Sequence, residues 1–155
     1  MNKNRRLEIL GILIVSISVF ILISLIGYNV SEEPTISPNV KIENPMGILG
    51  VFISHFLIKL SFGFSTITLP IVGIFWGWFL FSKRQLDKLR LLTLYSISMM
   101  ILFSISLGVF EIMHVNGQIN FTSAGLIGGN IALLIVDWLS FWGSILLLIS
   151  CFLIL

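Results

Sequence analysis

The chain is short of charge, with nine basic and seven acidic side chains among 155 residues of which 57% are hydrophobic. A water-soluble globule of this length needs far more polar surface to stay dispersed, so the expected solvent is lipid. Cysteine is almost absent. Cys151 stands alone inside the last apolar run, which rules out an intrachain disulfide and leaves the redox compartment unmarked. Also missing is any Gly-x-x-x-x-Gly-Lys-Ser/Thr loop, the phosphate cradle and Mg²⁺ ligand that nucleotide hydrolysis requires. There is no basic surface interleaved with aromatics beyond short clusters, so direct nucleic-acid binding by this segment is not expected.

What is present is a series of long apolar runs. Ile9 to Tyr28 carries no charged side chain over 20 residues, enough at about 1.5 Å per residue to cross a hydrocarbon core of about 30 Å. That run is too long for the apolar part of a cleavable signal, and Gly27-Tyr28-Asn29 is no small-x-small cleavage site, so it reads as an uncleaved anchor. Four apolar segments follow one another: Leu7 to Tyr28, Met46 to Phe81, Leu91 to Phe110 and Ala124 to Leu155. The second and fourth exceed one perpendicular helix and fall short of two full crossings.

Basic residues near span ends are retained on the cytoplasmic side. Seven of nine lie in two places, Lys3, Arg5 and Arg6 at the start and Lys83, Arg84, Lys88 and Arg90 in the second connection. Asn29 to Pro45 carries Glu32, Glu33 and Glu43 against Lys41, and Glu111 to Ser123 has no basic residue. The parity predicts four net crossings with both termini cytoplasmic. Met46 to Phe62, with His55 and Lys59 four apart on one helical face, and Ala124 to about Ser140 are then extra helices that either lie at the outer interface or dip into it. Ser65 to Phe81 and Phe141 to Leu155 are the spans that follow them.

The expected fold is therefore all-α and membrane-integral: four transmembrane helices plus two interfacial or re-entrant helices, in a single domain over residues 1–155. Gly47-Ile48-Leu49-Gly50 lines up with Gly125-Leu126-Ile127-Gly128 at an offset of 78, which sets Lys59 opposite Asp137. A glycine stands near the turn after each extra helix, Gly63 in one half and Gly143 in the other. This predicts two parallel pseudo-repeats, about 7–81 and 91–155.

Lys59 and Asp137 are the ionisable residues most deeply set in apolar sequence. They either pair across the halves or snorkel separately to the outer interface. Gly73-x-x-x-Gly77 and Gly125-x-x-x-Gly129 are small-residue seams that permit close helix approach, within the chain or between copies. Trp76, Trp78, Trp138 and Trp142 cluster near span ends as interfacial anchors do. Glu111 and His114 are three apart, too few to hold a metal alone; with His55 they would make three on the outer side, but a surface or interfacial role is the expected one. Ser96, Ser98, Ser104 and Ser106 have no partners at catalytic spacing, since hydroxyls in membrane helices bond to their own backbone. No catalytic residue, cofactor or metal is assigned.

The order of these features carries a resemblance. A basic start, a first span, Glu33-Pro34 in the outer loop, Asn44-Pro45-Met46-Gly47-Ile48-Leu49-Gly50, Phe62-Gly63-Phe64, Thr68-Leu69-Pro70 and Ser123-Ala124-Gly125-Leu126-Ile127-Gly128-Gly129 together resemble the N-terminal four-helix membrane domain of the FtsK/SpoIIIE DNA translocases. Glu33-Pro34 replaces the family's usual Asp-Pro. The resemblance implies a bacterial inner-membrane anchor, oligomeric and in contact with division proteins, for a cytoplasmic ATP-driven DNA pump at the septum. The pump is absent from this chain, and an end inside an apolar run at Leu155 is what a fragment of a longer protein would have. The rival reading is a stand-alone polytopic protein such as a transporter or channel component.

Overall fold

The computed structural model describes residues 3–32, 42–83, 86–114 and 120–155. Glu33-Pro34, Lys41 and Arg84 lie outside them. Among the described residues every regular element is helical: α1 (Lys3–Ile26), α2 (Gly47–Ser54), a π-helical stretch (His55–Phe62), a 3₁₀ stretch (Gly63–Ile67), α3 (Thr68–Phe81), α4 (Asp87–His114) and α5 (Gly125–Ile154). Four stretches are long and apolar enough to cross a membrane, Arg5–Ile26, Gly47–Phe81, Asp87–His114 and Gly125–Ile154. The protein is a multi-pass membrane protein.

Two of those stretches are interrupted. In the second, α2 gives way at His55 to a wider π turn, and at Ser61 the backbone leaves helical geometry altogether (φ −106°, ψ −117°). His55 and Lys59 therefore sit on a π-helical stretch, not on the continuous α-helix that their spacing predicts. In the fourth, the break falls at Ser140 (φ 60°, ψ 170°). That is the boundary expected between the extra helix and the span, with Gly143, the glycine expected near the turn, an ordinary helical residue three positions further on. The residue that bends the chain is a serine in a left-handed conformation.

The contacts resolve into two compact units. The first comprises Met1–Ser54 and Ile67–Ser96, the second His55–Thr66 and Ile97–Leu155. In the first, α1 and α3 run antiparallel in close contact, and α2 also packs on α1. The antiparallel register follows from facing residues: Gly11 meets Gly77 and Phe81, and Ser18 meets Gly73. Pro70 stands in the first turn of α3, where a missing N–H costs nothing. Trp76 Nε1 donates to Thr93 Oγ1 on α4 at 2.7 Å, and that hydroxyl donates back to Leu89 O. At one end of the α1–α3 pair, Lys83 Nζ meets Glu8 Oε1 at 2.7 Å.

In the second unit, the core gathers Ile105 and Val109 of α4 with Ala132 and Leu148 of α5, flanked by Ile101, Ile135 and Phe141. Both halves of α5 contribute to this cluster. The π-helical stretch packs against α5 as well. Large side chains elsewhere, such as Ile12, Phe56, Phe103 and Leu146, are exposed, as expected where lipid is the outer solvent.

Candidate functional site

In hydrocarbon, irregular backbone survives only where protein covers it. The breaks in this chain are therefore the places where sequence and packing are most tightly bound to each other. Gly47, Gly63 and Gly125 all have positive φ (65°, 65° and 71°), a conformation that costs glycine little and side-chain-bearing residues much more.

Two of these glycines meet in the second unit. Phe64 N–H donates to Ser123 O at 3.1 Å, and a Cβ on Gly63 would fall on the Ser123–Ala124 backbone. A Cβ on Gly125 would strike Gly63 N, and would lie 2.5 Å from Ser61 O and 2.7 Å from Ile58 O. The turn after the π stretch and the start of α5 thus touch backbone to backbone. Several polar groups around this junction bond locally, while Glu111 Oε2 is buried without a partner among the described residues. Ser104 Oγ donates to Ala124 O at 2.7 Å, and Thr66 Oγ1 to Gly63 O at 2.7 Å. Ser65 Oγ donates to Phe62 O at 2.5 Å. Ser104 and Thr66 are fully buried, so each hydroxyl needs the carbonyl it bonds.

One acidic side chain secures the approach to this junction. Glu111 Oε1 accepts from Ser123 N at 2.8 Å and from Thr122 Oγ1 at 3.3 Å. A similar hold exists in the first unit, where Glu32 Oε1 accepts from Glu43 N at 2.6 Å. Asn44 then ties the start of α2 to the end of α1. Its Nδ2 donates to Ser24 O (3.0 Å) and Gly27 O (3.1 Å), and its Oδ1 accepts from Met46 N (3.0 Å). Gly27 and Gly50 make room for this, since a Cβ on either would run into Pro45 or Asn44. The sequence set Glu32 among the outer-loop acids, Asn44 in the Asn-Pro-Met-Gly motif and Ser104 among hydroxyls expected to bond their own helix, and gave none of them these roles; Ser104 bonds instead to Ala124 O, 20 residues away. The signal each carries is burial of a polar side chain, which a sequence displays only once the partners are known.

Of the residues that sequence reasoning did single out, Gly73 and Gly77 lie on the α1–α3 contact. A Cβ on Gly73 would meet Ser18 Oγ, and one on Gly77 would lie 2.5 Å from Val15 Cγ2 and 2.7 Å from Gly11 O. Gly125 is at the junction, and Gly129 faces the Phe121 ring. Lys59 is half-buried on the π-helical stretch, and Asp137 is exposed on α5, the helix against which that stretch packs. His114 turns away from any shared site with Glu111. Its Nδ1 lies 3.0 Å from Phe110 O and its ring is 4.1 Å from that of Phe110. Among the described residues no group of three His, Cys, Asp or Glu side chains is placed to hold a metal ion. The arrangement seen among the described residues is one of close packing and of polar side chains bonded to backbone.

No curated protein and no solved structure matches the chain. A family match covers residues 3–155, the family being the 4TM region of DNA translocase FtsK/SpoIIIE, which is the membrane region of that translocase and not its motor. With four stretches able to cross a membrane and a match from end to end, this chain belongs to the 4TM region of the FtsK/SpoIIIE DNA translocases.

Proposed function

We propose that this domain fixes a DNA translocase motor to the bacterial inner membrane at the division septum, oligomerises there, and contacts other division proteins. The observation that carries the reading is the end-to-end family match over residues 3–155. Anchoring needs stable spans with a defined orientation, and the antiparallel α1–α3 pair supplies them. Arg5 and Arg6 sit at the end of that pair where Glu8 meets Lys83. Retention of cations supports a cytoplasmic position for this end, and four net crossings would return the C-terminus to the same side.

The two-copy pattern belongs to the same proposal. Gly47 and Gly125, 78 residues apart, each open a helix with positive φ, and the backbone breaks at Ser61 and Ser140 come 14 and 15 residues after them. Each helix so opened is secured just upstream by a carboxylate that accepts a loop N–H, Glu32 in one copy and Glu111 in the other. These likenesses support two successive copies of one pattern: span, outer loop, glycine-opened extra helix, break, span.

Two experiments test the reading. A fluorescent protein fused after Leu155 should collect in the membrane at mid-cell in dividing bacteria, whereas even distribution around the envelope would remove the septal role. Lys88→Cys in intact cells should resist a maleimide that cannot cross membranes. Ready labelling would overturn the orientation.

A further inference from the structure

We infer that the break in α5 is an interfacial knuckle, seated among phospholipid headgroups by Asp137, Trp138 and Trp142. The first half of α5 then rises to that layer along α4, its start level with Ser104 and deeper than the knuckle. This deepens the extra-helix reading above, on which it rests, and is independent of what the domain anchors.

Four observations converge. Ser140 leaves helical geometry, so the helix bends there. Ser144 Oγ donates to Ser140 O at 2.7 Å beside the bend. Irregular backbone at membrane depth is tolerated where protein, water or headgroups reach its polar groups. Second, the indoles on either side of the break are among the most exposed side chains of the protein, Trp138 at 87% and Trp142 at 77%. Third, Asp137 beside them is also exposed, and Asn130 is exposed two turns earlier on the same helical face. A carboxylate facing hydrocarbon is costly, and two bare indoles facing bulk water are equally out of place. The one surrounding that accepts an exposed carboxylate and exposed indoles side by side is the headgroup layer, where indole rings bury their apolar body and keep the N–H wet.

The fourth observation fixes the level of the break. Phe141, the first residue beyond it, lines a groove with Val109 and Phe110, in the last turns of α4, which ends at His114. The break therefore stands near the polar end of a helix that crosses the membrane, not at its middle. Residues 125–139 make a rod of about 22 Å, too short to cross a core of about 30 Å and return. Their buried side is the small-residue strip of Gly125, Gly128, Gly129 and Ala132, which presses on α4: Gly128 meets Ser104, and a Cβ on Gly108 would lie 2.7 Å from the Ala132 Cβ.

The test is depth measurement in phosphatidylethanolamine and phosphatidylglycerol vesicles. Variants that keep Trp138 or Trp142 as the single tryptophan, the others changed to phenylalanine, are reconstituted with lipids carrying a quencher near the headgroup or near the end of the acyl chain. Headgroup-level quenching should exceed deep quenching by about twofold or more for both residues, as for interfacial indoles. Stronger quenching by the deep probe would show the knuckle among acyl chains, and quenching by neither would show a second copy or other protein covering it; either result overturns the inference. Should the single-tryptophan chains fail to fold, a cysteine scan keeps the question open to refutation. In a Cys151→Ser background, Ser140→Cys should react with a water-soluble maleimide, and Leu146→Cys, exposed six residues further into the span, should not. Equal reactivity at the two positions, or none at Ser140→Cys, would sink it.

Discussion

Gly77→Ala is the substitution by which the packing of the first unit is best judged. The added carbon would lie 2.5 Å from Val15 Cγ2, 2.7 Å from Gly11 O and 2.9 Å from Val15 N, where carbon contacts settle at about 3.5–4.0 Å. Two of the three obstacles are backbone atoms. The third belongs to a β-branched side chain that a helix confines to one rotamer, so none can step aside. Relief therefore requires α1 and α3 to separate by about 1 Å along their contact. Overpacking of that kind costs about 1–3 kcal/mol, and the better helix propensity of alanine returns up to about 1 kcal/mol. A net loss of about 1–2 kcal/mol follows. Gly143→Ala is the internal control. There the new carbon meets only Leu139 Cβ, at 3.1 Å, so propensity should prevail and stability should hold or rise slightly. Detergent-solubilised protein titrated with sodium dodecyl sulfate, with helicity followed by circular dichroism, reads both. If Gly77→Ala unfolded at or above the wild-type midpoint while Gly143→Ala lost stability, the reasoning from close backbone approach would be refuted.

Other positions give equally definite expectations. Gly125→Ala combines a φ of 71° with a collision against the Gly63 and Ser61 backbone, and should cost more than Gly77→Ala, above about 3 kcal/mol; an intact cooperative transition at the wild-type midpoint would contradict it. Asn44→Asp should be worse than Asn44→Ala in the same titration, because a carboxylate turned toward Ser24 O and Gly27 O repels both where the amide donates to them, and Asn44→Ala itself should lose about 2–3 kcal/mol for three hydrogen bonds. Ser140→Gly should be neutral or stabilising by up to about 1 kcal/mol, since the residue already holds a φ of 60°, and a marked loss would mean that the serine side chain has a role the geometry does not display.

The cues that could be read directly were those with a long range along the chain. Apolar runs of the length of Ile9 to Tyr28 report a lipid environment whatever they touch, and clusters such as Lys83 to Arg90 report sidedness. The order of short motifs, from Asn44-Pro45-Met46-Gly47 to Ser123-Ala124-Gly125, was enough to indicate the family that the match over residues 3–155 then established. Local cues did less well. The break falls at Ser140, where the extra helix is expected to end, but nothing local showed that this serine and not the nearby Gly143 would bend, because a glycine permits a bend without compelling one, and the α-helical spacing of His55 and Lys59 gave no sign that the chain widens into a π turn there. The roles of Glu32, Asn44 and Ser104 were not legible for a related reason: each acts on a backbone group 11 to 20 residues away, and nothing in a single sequence says which distant backbone group a polar side chain will meet.

Composition and charge placement alone determined that this is a multi-pass helical membrane chain, because the cost of exposing apolar residues to water, or cations to lipid, depends on residue type and hardly on neighbours. Only the tertiary structure decided which glycines matter and how the interrupted helices are held. Close approach between Gly11 and Gly77, or between Gly63 and Gly125, is a property of two distant segments meeting, and steric exclusion at a distance of one carbon atom has no counterpart along the chain.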